Sequence, residues 1–420
     1  MNNIRIKLSL FLNYFVFAIL LNSVGTVILQ VQNNFGVLGT AAGRLEAYKD
    51  LSIAIVSFLM ASYIVRIGYK KTMLFALGFI SVVCLLVPSL PGFAVIKLLF
   101  AATGMSFALI KISVFATLGI VTKDKKEHAS LMNFLESFFM IGVLCGYFIF
   151  GYFINPDDKT STSWFKVYYM LGGLSLVAFL LLLITPLDES KVNNTAPEKD
   201  ANEFLNMLLL IGIPLVVVFI ISAFFYVLIE QSIMSWLPTF NSKVLHLSNT
   251  LSVQMASILA GSIALGRFLA GIILRRIHWL AVLLACLFLA AAMVLLAIPL
   301  AQNVSAITEI KTLSDVPLVA FIFPLIGLLL APIYPAINSV ILSSLPKQKH
   351  APMAGLIVVF SALGGTFGSM VTGYIFEHYG GEKAFYFSIG PMAILVAALI
   401  MLNRLQKTSE VKIEFKGASH

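Results

Sequence analysis

Apolar runs of roughly twenty residues, separated by short clusters of charge, recur along this 420-residue chain. A hydrocarbon core of about 30 Å takes about 20 helical residues to cross. Inside lipid every backbone N–H and C=O must find its partner within its own segment, so runs of that length read as helices. Barrel strands would be about 10 residues long and would alternate polar with apolar, a pattern this sequence lacks. Composition agrees: 60% of residues are hydrophobic and 11% are charged, against about 25% charged in a soluble domain. The expected fold class is an all-α membrane protein.

The spacing predicts helices over 8–30, 45–65, 72–90, 93–119, 129–154 and 166–186, then over 206–238, 247–274, 279–299, 317–345, 351–376 and 382–404. The stretch 187–204 has no apolar periodicity and reads as a cytoplasmic linker. It divides an N-terminal six-helix bundle, 1–186, from a C-terminal one, 205–406, with 407–420 as a cytoplasmic tail. The first apolar run is too long for a signal-peptide core and no small-x-small site ends it, so it counts as helix one.

Lys and Arg crowd alternate loops: Arg66, Lys70 and Lys71; Lys123, Lys125 and Lys126; Arg275 and Arg276; Lys347 and Lys349; and the tail after Arg404. By the positive-inside rule these loops and both termini face the cytoplasm, which implies an inner-membrane protein. The net charge of +9 therefore reports topology and contact with the lipid bilayer, and no nucleic acid is called for. Cys84, Cys145 and Cys286 lie inside apolar runs without metal-ligand spacing, so neither a disulfide framework nor a metal is expected.

The two halves repeat. Ser52, Ile53, Ala54, Phe58, Leu59 and Arg66 recur at identical spacing as Ser262, Ile263, Ala264, Phe268, Leu269 and Arg276. Phe138, Gly142, Gly146, Gly151 and Tyr152 recur as Phe360, Gly364, Gly368, Gly373 and Tyr374, and the same offset sets His128 on His350. Two such matches point to a duplicated six-helix unit.

The loop after helix two, with Arg66, Gly68 and Lys70, resembles the Gly-x-x-x-Asp-Arg-x-Gly-Arg-Arg motif of the major facilitator superfamily. Ala61 and Val65 stand where that pattern has Gly and Asp. After helix eight, Gly271 and Arg276 keep part of it. A narrower likeness is to the fucose–galactose–glucose:proton symporter family. Tyr226, Glu230, Trp236 and Leu237 resemble its Tyr-x-Gly-x-Glu…Trp-Leu segment, and Tyr334 and Pro335 its Tyr-Pro-Thr-Ile stretch. The resemblance implies two pseudo-symmetric six-helix bundles with a solute site near the midplane between them. It implies an alternating-access symporter for a sugar or similar small polar solute, driven by a proton gradient with no cofactor, and acting as a monomer. Arg66, Gly68, Lys70 and Arg276 would then serve gating. Gly142, Gly146, Gly364 and Gly368 would let helix five slide on eight and eleven on two. Where that family has a proton-binding Asp after an Asn in helix one, this chain has Ser23 after Asn22, so Asn22 carries over as a solute contact and the carboxylate does not.

The remaining candidates are buried charges, each costing about 2.5–3.5 kcal/mol at mid-bilayer and so needing a cavity or a partner. Lys111 in helix four and Glu136 in helix five lie at similar depth, either as a structural ion pair or as a proton and solute site. Glu230 shares a helix face with Ser222 and Tyr226, as a cavity wall or a packing contact, and Arg267 on the next helix is a tie for it. Lys49 should keep its neighbour Asp50 ionised, which leaves Glu230 and Glu136 as the coupling carboxylates. Asn133, Gln231 and Asn338 complete the neutral polar set, with Tyr334. Trp236 either stacks on a sugar ring or anchors its helix, and Trp164 is expected at the outer interface. Lys111 and Arg267 would equally suit a facilitator of an organic anion, or an exporter. No Gly-x-Ser-x-Gly, His-Glu-x-x-His or Walker pattern occurs, which argues against an enzyme. A reporter active only in the cytoplasm should work when fused after Lys199 or His420 and fail when inserted at Lys159; the reverse pattern would contradict the topology.

Overall fold

A computed structural model describes residues 2–122, 125–187, 189, 208–274, 276–302, 310, 313–345 and 350–417, in places as backbone alone. The described residues are helical almost throughout. In chain order the helices are α1 Asn2–Asn22, α2 Val24–Phe35, α3 Gly39–Ile67, α4 Tyr69–Leu86, α5 Phe93–Val121, α6 Lys125–Phe153 and α7 Val167–Ile184. There follow α8 Pro214–Lys243, α9 Asn249–Ile273, α10 Trp279–Gln302, α11 Val319–Leu330, α12 Ile333–Ser343, α13 His350–Tyr379, α14 Gly381–Tyr386 and α15 Ile389–Gly417. Among the described residues, 10 stretches are long and apolar enough to cross a membrane. The chain is a multi-pass membrane protein. Of the expected spans, α3 carries Arg44, Glu46, Lys49 and Asp50 close together, and the apolar part of α6 is the shorter Phe138–Phe153. The segment expected as a tail stays helical to Gly417, and most of the expected linker lies outside the described residues.

Two expected helices are each broken in two. Helix one parts at Ser23, between α1 and α2. Carbonyls freed at a break need donors, since lipid supplies none. The Asn22 side-chain amide donates to the Ala18 carbonyl at 2.9 Å, and the Ser23 hydroxyl to the Leu20 carbonyl at 2.8 Å. Helix ten parts at Ala331 and Pro332, between α11 and α12, where proline has no N–H to continue the ladder.

The chain forms two compact units. The first is Met1–Lys199 with Leu247–Ser257, and the second is Asp200–His246 with Ile258–His420. In the first unit α1 packs on α6 and α3 on α5; in the second α8 packs on α13. Glycines make these approaches close. A Cβ at Gly142 would lie 2.7 Å from Ala18 Cβ and 2.8 Å from the Phe15 carbonyl oxygen. Cβ atoms at Gly364 and Gly368 would run into the Phe224 and Leu228 carbonyls of α8. The equivalent glycines of the sequence repeat therefore seam equivalent helices in each unit, as small residues do where helices touch in lipid.

This corrects their expected partners. Gly142 and Gly146 meet α1, not helix eight, and Gly364 and Gly368 meet α8, not helix two. The approach of helix five to helix eight falls at Gly151, whose Cβ would lie 3.2 Å from Gln254 Cγ within the first unit. A small-residue stripe marks a close seam but carries no label for the helix on its far side. Gly146 is the loosest of the four, with an added Cβ 3.4 Å from Ile19 Cγ2. Gly142→Ala, Gly364→Ala and Gly368→Ala should each cost about 1–3 kcal/mol through overpacking, while Gly146→Ala should sit near wild type. The readout is thermal unfolding in detergent, followed by a thiol-reactive dye on buried Cys84. Equal melting temperatures for all four would refute the seams.

Candidate functional site

In the second unit, α8, α9, α12 and α13 bring six polar side chains together. Tyr226 and Glu230 are one turn apart on α8, and the fully buried Tyr226 hydroxyl donates to Glu230 Oε1 at 2.7 Å. The Tyr334 ring of α12 lies against Tyr226 with centroids 5.5 Å apart and planes 20° apart. Its hydroxyl pairs with Ser361 Oγ of α13 at 3.0 Å and is also hydrogen-bonded to Asn338. Arg267 of α9 lies within electrostatic reach of Glu230 and of both phenols. Asn338 Oδ1 is buried with no hydrogen-bond partner among the described residues. An unpaired acceptor of this kind costs about 1–3 kcal/mol. Gln231, next along α8, is half-buried. Ser222, the third member of the expected stripe, bonds its own helix at the Val218 carbonyl, 2.8 Å away.

Trp236 does not join this group. Its ring is fully buried, its indole N–H donates to the Ser369 carbonyl at 3.0 Å, and Phe376 stacks on it at 5.0 Å. With no face left open it ties α8 to α13, so the expectation of a sugar-capping ring is corrected. Trp164 likewise is fully buried and donates to Asn34 Oδ1 instead of facing the interface.

In the first unit the break in helix one is the centre. Asn22, Ser23 and Thr26 line a small cleft with Ile19, Val143, Gly146, Tyr147 and Phe150. Gly146 thus borders the cleft that Asn22 enters. Beside it stands a charge cluster of which sequence reading missed one member, Glu46. Glu46 is fully buried and Lys49 is 6% exposed. The Lys49 ammonium pairs with Glu46 Oε1, with Asp50 Oδ1 at 3.4 Å and with the Leu21 carbonyl at 3.4 Å. Lys49 meets its neighbour Asp50 as expected, and Glu46 takes the closer contact. The i,i+3 spacing of Glu46 and Lys49 was the available signal. Lys111 is half-buried on α5, its ammonium 5.9 Å from the ring centroids of both Phe107 and Phe115, within range of a cation–π attraction. The side chains of Glu136, expected near it, and of Asn133 lie outside the described residues.

At the start of α4, Tyr69 and Lys70 are tied to Glu189 and to the end of α7. Glu189 Oε2 and Oε1 accept from the backbone N–H groups of Tyr69 at 3.1 Å and Lys70 at 2.6 Å. A carboxylate on these unpaired N–H groups completes the helix end and opposes its dipole. Gly68 has φ +97°, which favours glycine, and a Cβ there would lie 2.7 Å from Glu189 Oε2, so a side chain would also displace that carboxylate. The Lys70 ammonium reaches the carbonyls of Thr185 at 2.7 Å and Leu183 at 3.1 Å, at the end of α7. Val65 thus leaves this loop without the motif's carboxylate, and Glu189 brings one from a distant part of the sequence. The Arg66 side chain lies outside the described residues, and Arg276 is exposed in the turn after α9. Among the described residues no His, Cys, Asp and Glu group could hold a metal.

Comparison with known proteins adds a fold and a family. A TsgA homolog from Buchnera aphidicola is 23% identical over 263 residues, which are 59% of this chain, and the match spans 60% of that protein's length. A D-xylose–proton symporter superposes with TM-score 0.72 at 13% identity, over 95% of this chain and 97% of its own. The fucose:proton symporter FucP does so with TM-score 0.60 at 14% identity, over 96% and 99%. At those identities the likeness is one of fold. The model of the Major Facilitator Superfamily matches residues 9–309, well over half of the sequence, and the chain belongs to that family of membrane transporters.

Proposed function

We propose that this transporter works by alternating access and couples the movement of a sugar or similar small polar solute to that of protons. The observation that carries the reading is the unpaired Asn338 Oδ1 within the Tyr226, Glu230, Tyr334 and Ser361 network. A hydroxyl-rich solute offers the donor this acceptor lacks, and the half-buried Tyr334 offers an apolar ring face. Solved relatives of the same fold include a D-xylose–proton symporter and a fucose:proton symporter, which supports the same chemistry. Glu230 is the coupling group in this reading. A membrane-embedded carboxylate that changes partners during transport must shed its charge, because an unpaired charge in low dielectric is too costly. Asn22 is the corresponding solute contact in the first unit, beside its cleft.

A second reading, transport of an organic anion, has Lys111 behind it, since an ammonium framed by Phe107 and Phe115 suits an acid with an apolar body. Uptake of labelled sugars and organic acids into proteoliposomes, with and without a proton gradient, separates the two. Sugar accumulation that needs the gradient is the expected result; accumulation of acids alone favours the second reading. Glu230→Gln should lose gradient-driven accumulation and keep exchange, because the amide mimics the protonated acid. A variant that still concentrates solute at the wild-type level would refute the role given to Glu230. Asn338→Ala should raise KM about tenfold, the loss of one hydrogen bond worth about 1.4 kcal/mol.

A further inference from the structure

We propose that the first turns of α9 form the outer lid of the first unit's cleft, held shut by a reciprocal amide pair between Gln30 and Asn249. This inference rests on the reading of the protein as an alternating-access transporter and adds the device that closes one side.

Leu247–Ser257 comes from the second half of the sequence yet packs with the first unit. Two contacts hold it there. On α2 the Gln30 side-chain amide donates to Asn249 Oδ1 at 2.9 Å, and the Asn249 amide donates back to Gln30 Oε1 at 3.0 Å. Both residues are 1% exposed, and the Asn33 amide approaches the same Asn249 oxygen at 3.5 Å. On α6 the contact is at Gly151, where an added Cβ would lie 3.2 Å from Gln254 Cγ.

Both contacts fall in register with the cleft. Thr26 lines it from α2, one helical turn before Gln30; Tyr147 and Phe150 line it from α6, and Gly151 follows directly. With the amino terminus in the cytoplasm, as the loop charges predict, α2 and α6 both run outward. The two contacts then lie just outside the cleft, about one turn of 5.4 Å beyond its lining residues. A solute passing between the outer face and the cleft would have to move the start of α9.

The chemistry suits a seal that opens. Buried amides need partners and lipid supplies none, so the pair is firm while it excludes water. Neutral amides exchange such bonds for bonds to water at little net cost, so the pair can part once water enters from outside. The α2 side is anchored: the Asn34 amide donates to the Lys159 and Ser161 carbonyls at 2.9 and 3.1 Å, and its Oδ1 accepts from Trp164. The α9 side has a joint. His246, immediately before Leu247, has φ +57°, a left-handed conformation uncommon for a residue with a side chain. Its carbonyl accepts from the Ile310 N–H at 2.9 Å, which fixes the chain on the α8 side of the joint. Hinges are a few such positions between elements that absorb the change in φ and ψ.

The test needs neither solute nor proton gradient. Thr26→Cys is labelled in intact cells with a membrane-impermeant maleimide, and the unchanged chain gives the background from Cys84, Cys145 and Cys286. Labelling should be slow with the pair intact and about tenfold faster when Gln30→Ala or Asn249→Ala is added. The double alanine variant should label no faster than either single one, because the two amides act as one contact. Exchanging them, with Gln30→Asn and Asn249→Gln together, should restore slow labelling. Rates that respond to neither alanine would overturn the lid and leave the pair as packing. Labelling of Thr26→Cys with the pair intact as fast as in unfolded protein would overturn it too, whether or not the variants fold. A protein that never accumulates sugar on a proton gradient sinks symport and leaves this labelling difference in place.

Discussion

Lipid offers no hydrogen bonds, so each polar group of a spanning segment must be satisfied by another group of the protein or by an aqueous cavity. Several buried hydroxyls meet that demand locally. Ser81, Thr117, Ser175, Ser222 and Thr372 each bond the carbonyl four residues back, at 2.7–2.8 Å. These side chains are silent: they reach no neighbour and leave nothing open. Function is assigned instead to groups that reach across helices, as Tyr334 does to Ser361, and to the acceptor Asn338 Oδ1, which has no hydrogen-bond partner among the described residues.

The same constraint explains where the backbone departs from helix. A break inside the hydrocarbon region survives only where side chains re-pair the freed carbonyls or a cavity wets them. Asn22 and Ser23 do the first at one break and border a cleft as well. The Pro332 break brings Tyr334 and Asn338 to the start of a new helix, α12, opposite Tyr226. Both breaks therefore lie next to the polar clusters, one in each unit, with the glycine seams of α6 on α1 and α13 on α8 holding the surrounding helices close.

Much of the fold is written in the sequence because its governing length is local. A run of about 20 apolar residues needs no tertiary knowledge to read, and the duplicated spacing of Gly142 and Gly364 exposes the repeat. Tyr226, Glu230, Tyr334 and Asn338 were also legible, as polar residues spaced along apolar helices. The failures share a cause: sequence gives depth along a helix but not the neighbour across it. Gly142 was given the wrong partner for that reason. Trp236 looked available, although Ser369 and Phe376 close over it. Glu46 went unnoticed because it lies near the start of α3, where charge is ordinary, and only packing shows it fully buried. Glu189 was hidden in a segment without periodicity, and its role depends on the free N–H groups of α4.

The central claim is that carboxylates inside the membrane give up charge as solute moves, so that a neutral solute travels with protons. Its most direct measurement is the electrical current on adding a neutral solute to proteoliposomes adsorbed on a capacitive electrode, with no pre-set gradient. The account predicts a positive charge displacement in the direction of solute entry, reduced as external pH rises and protons become scarce. Solute transport shown by label in the same liposomes, with no charge displacement at any pH, would contradict it.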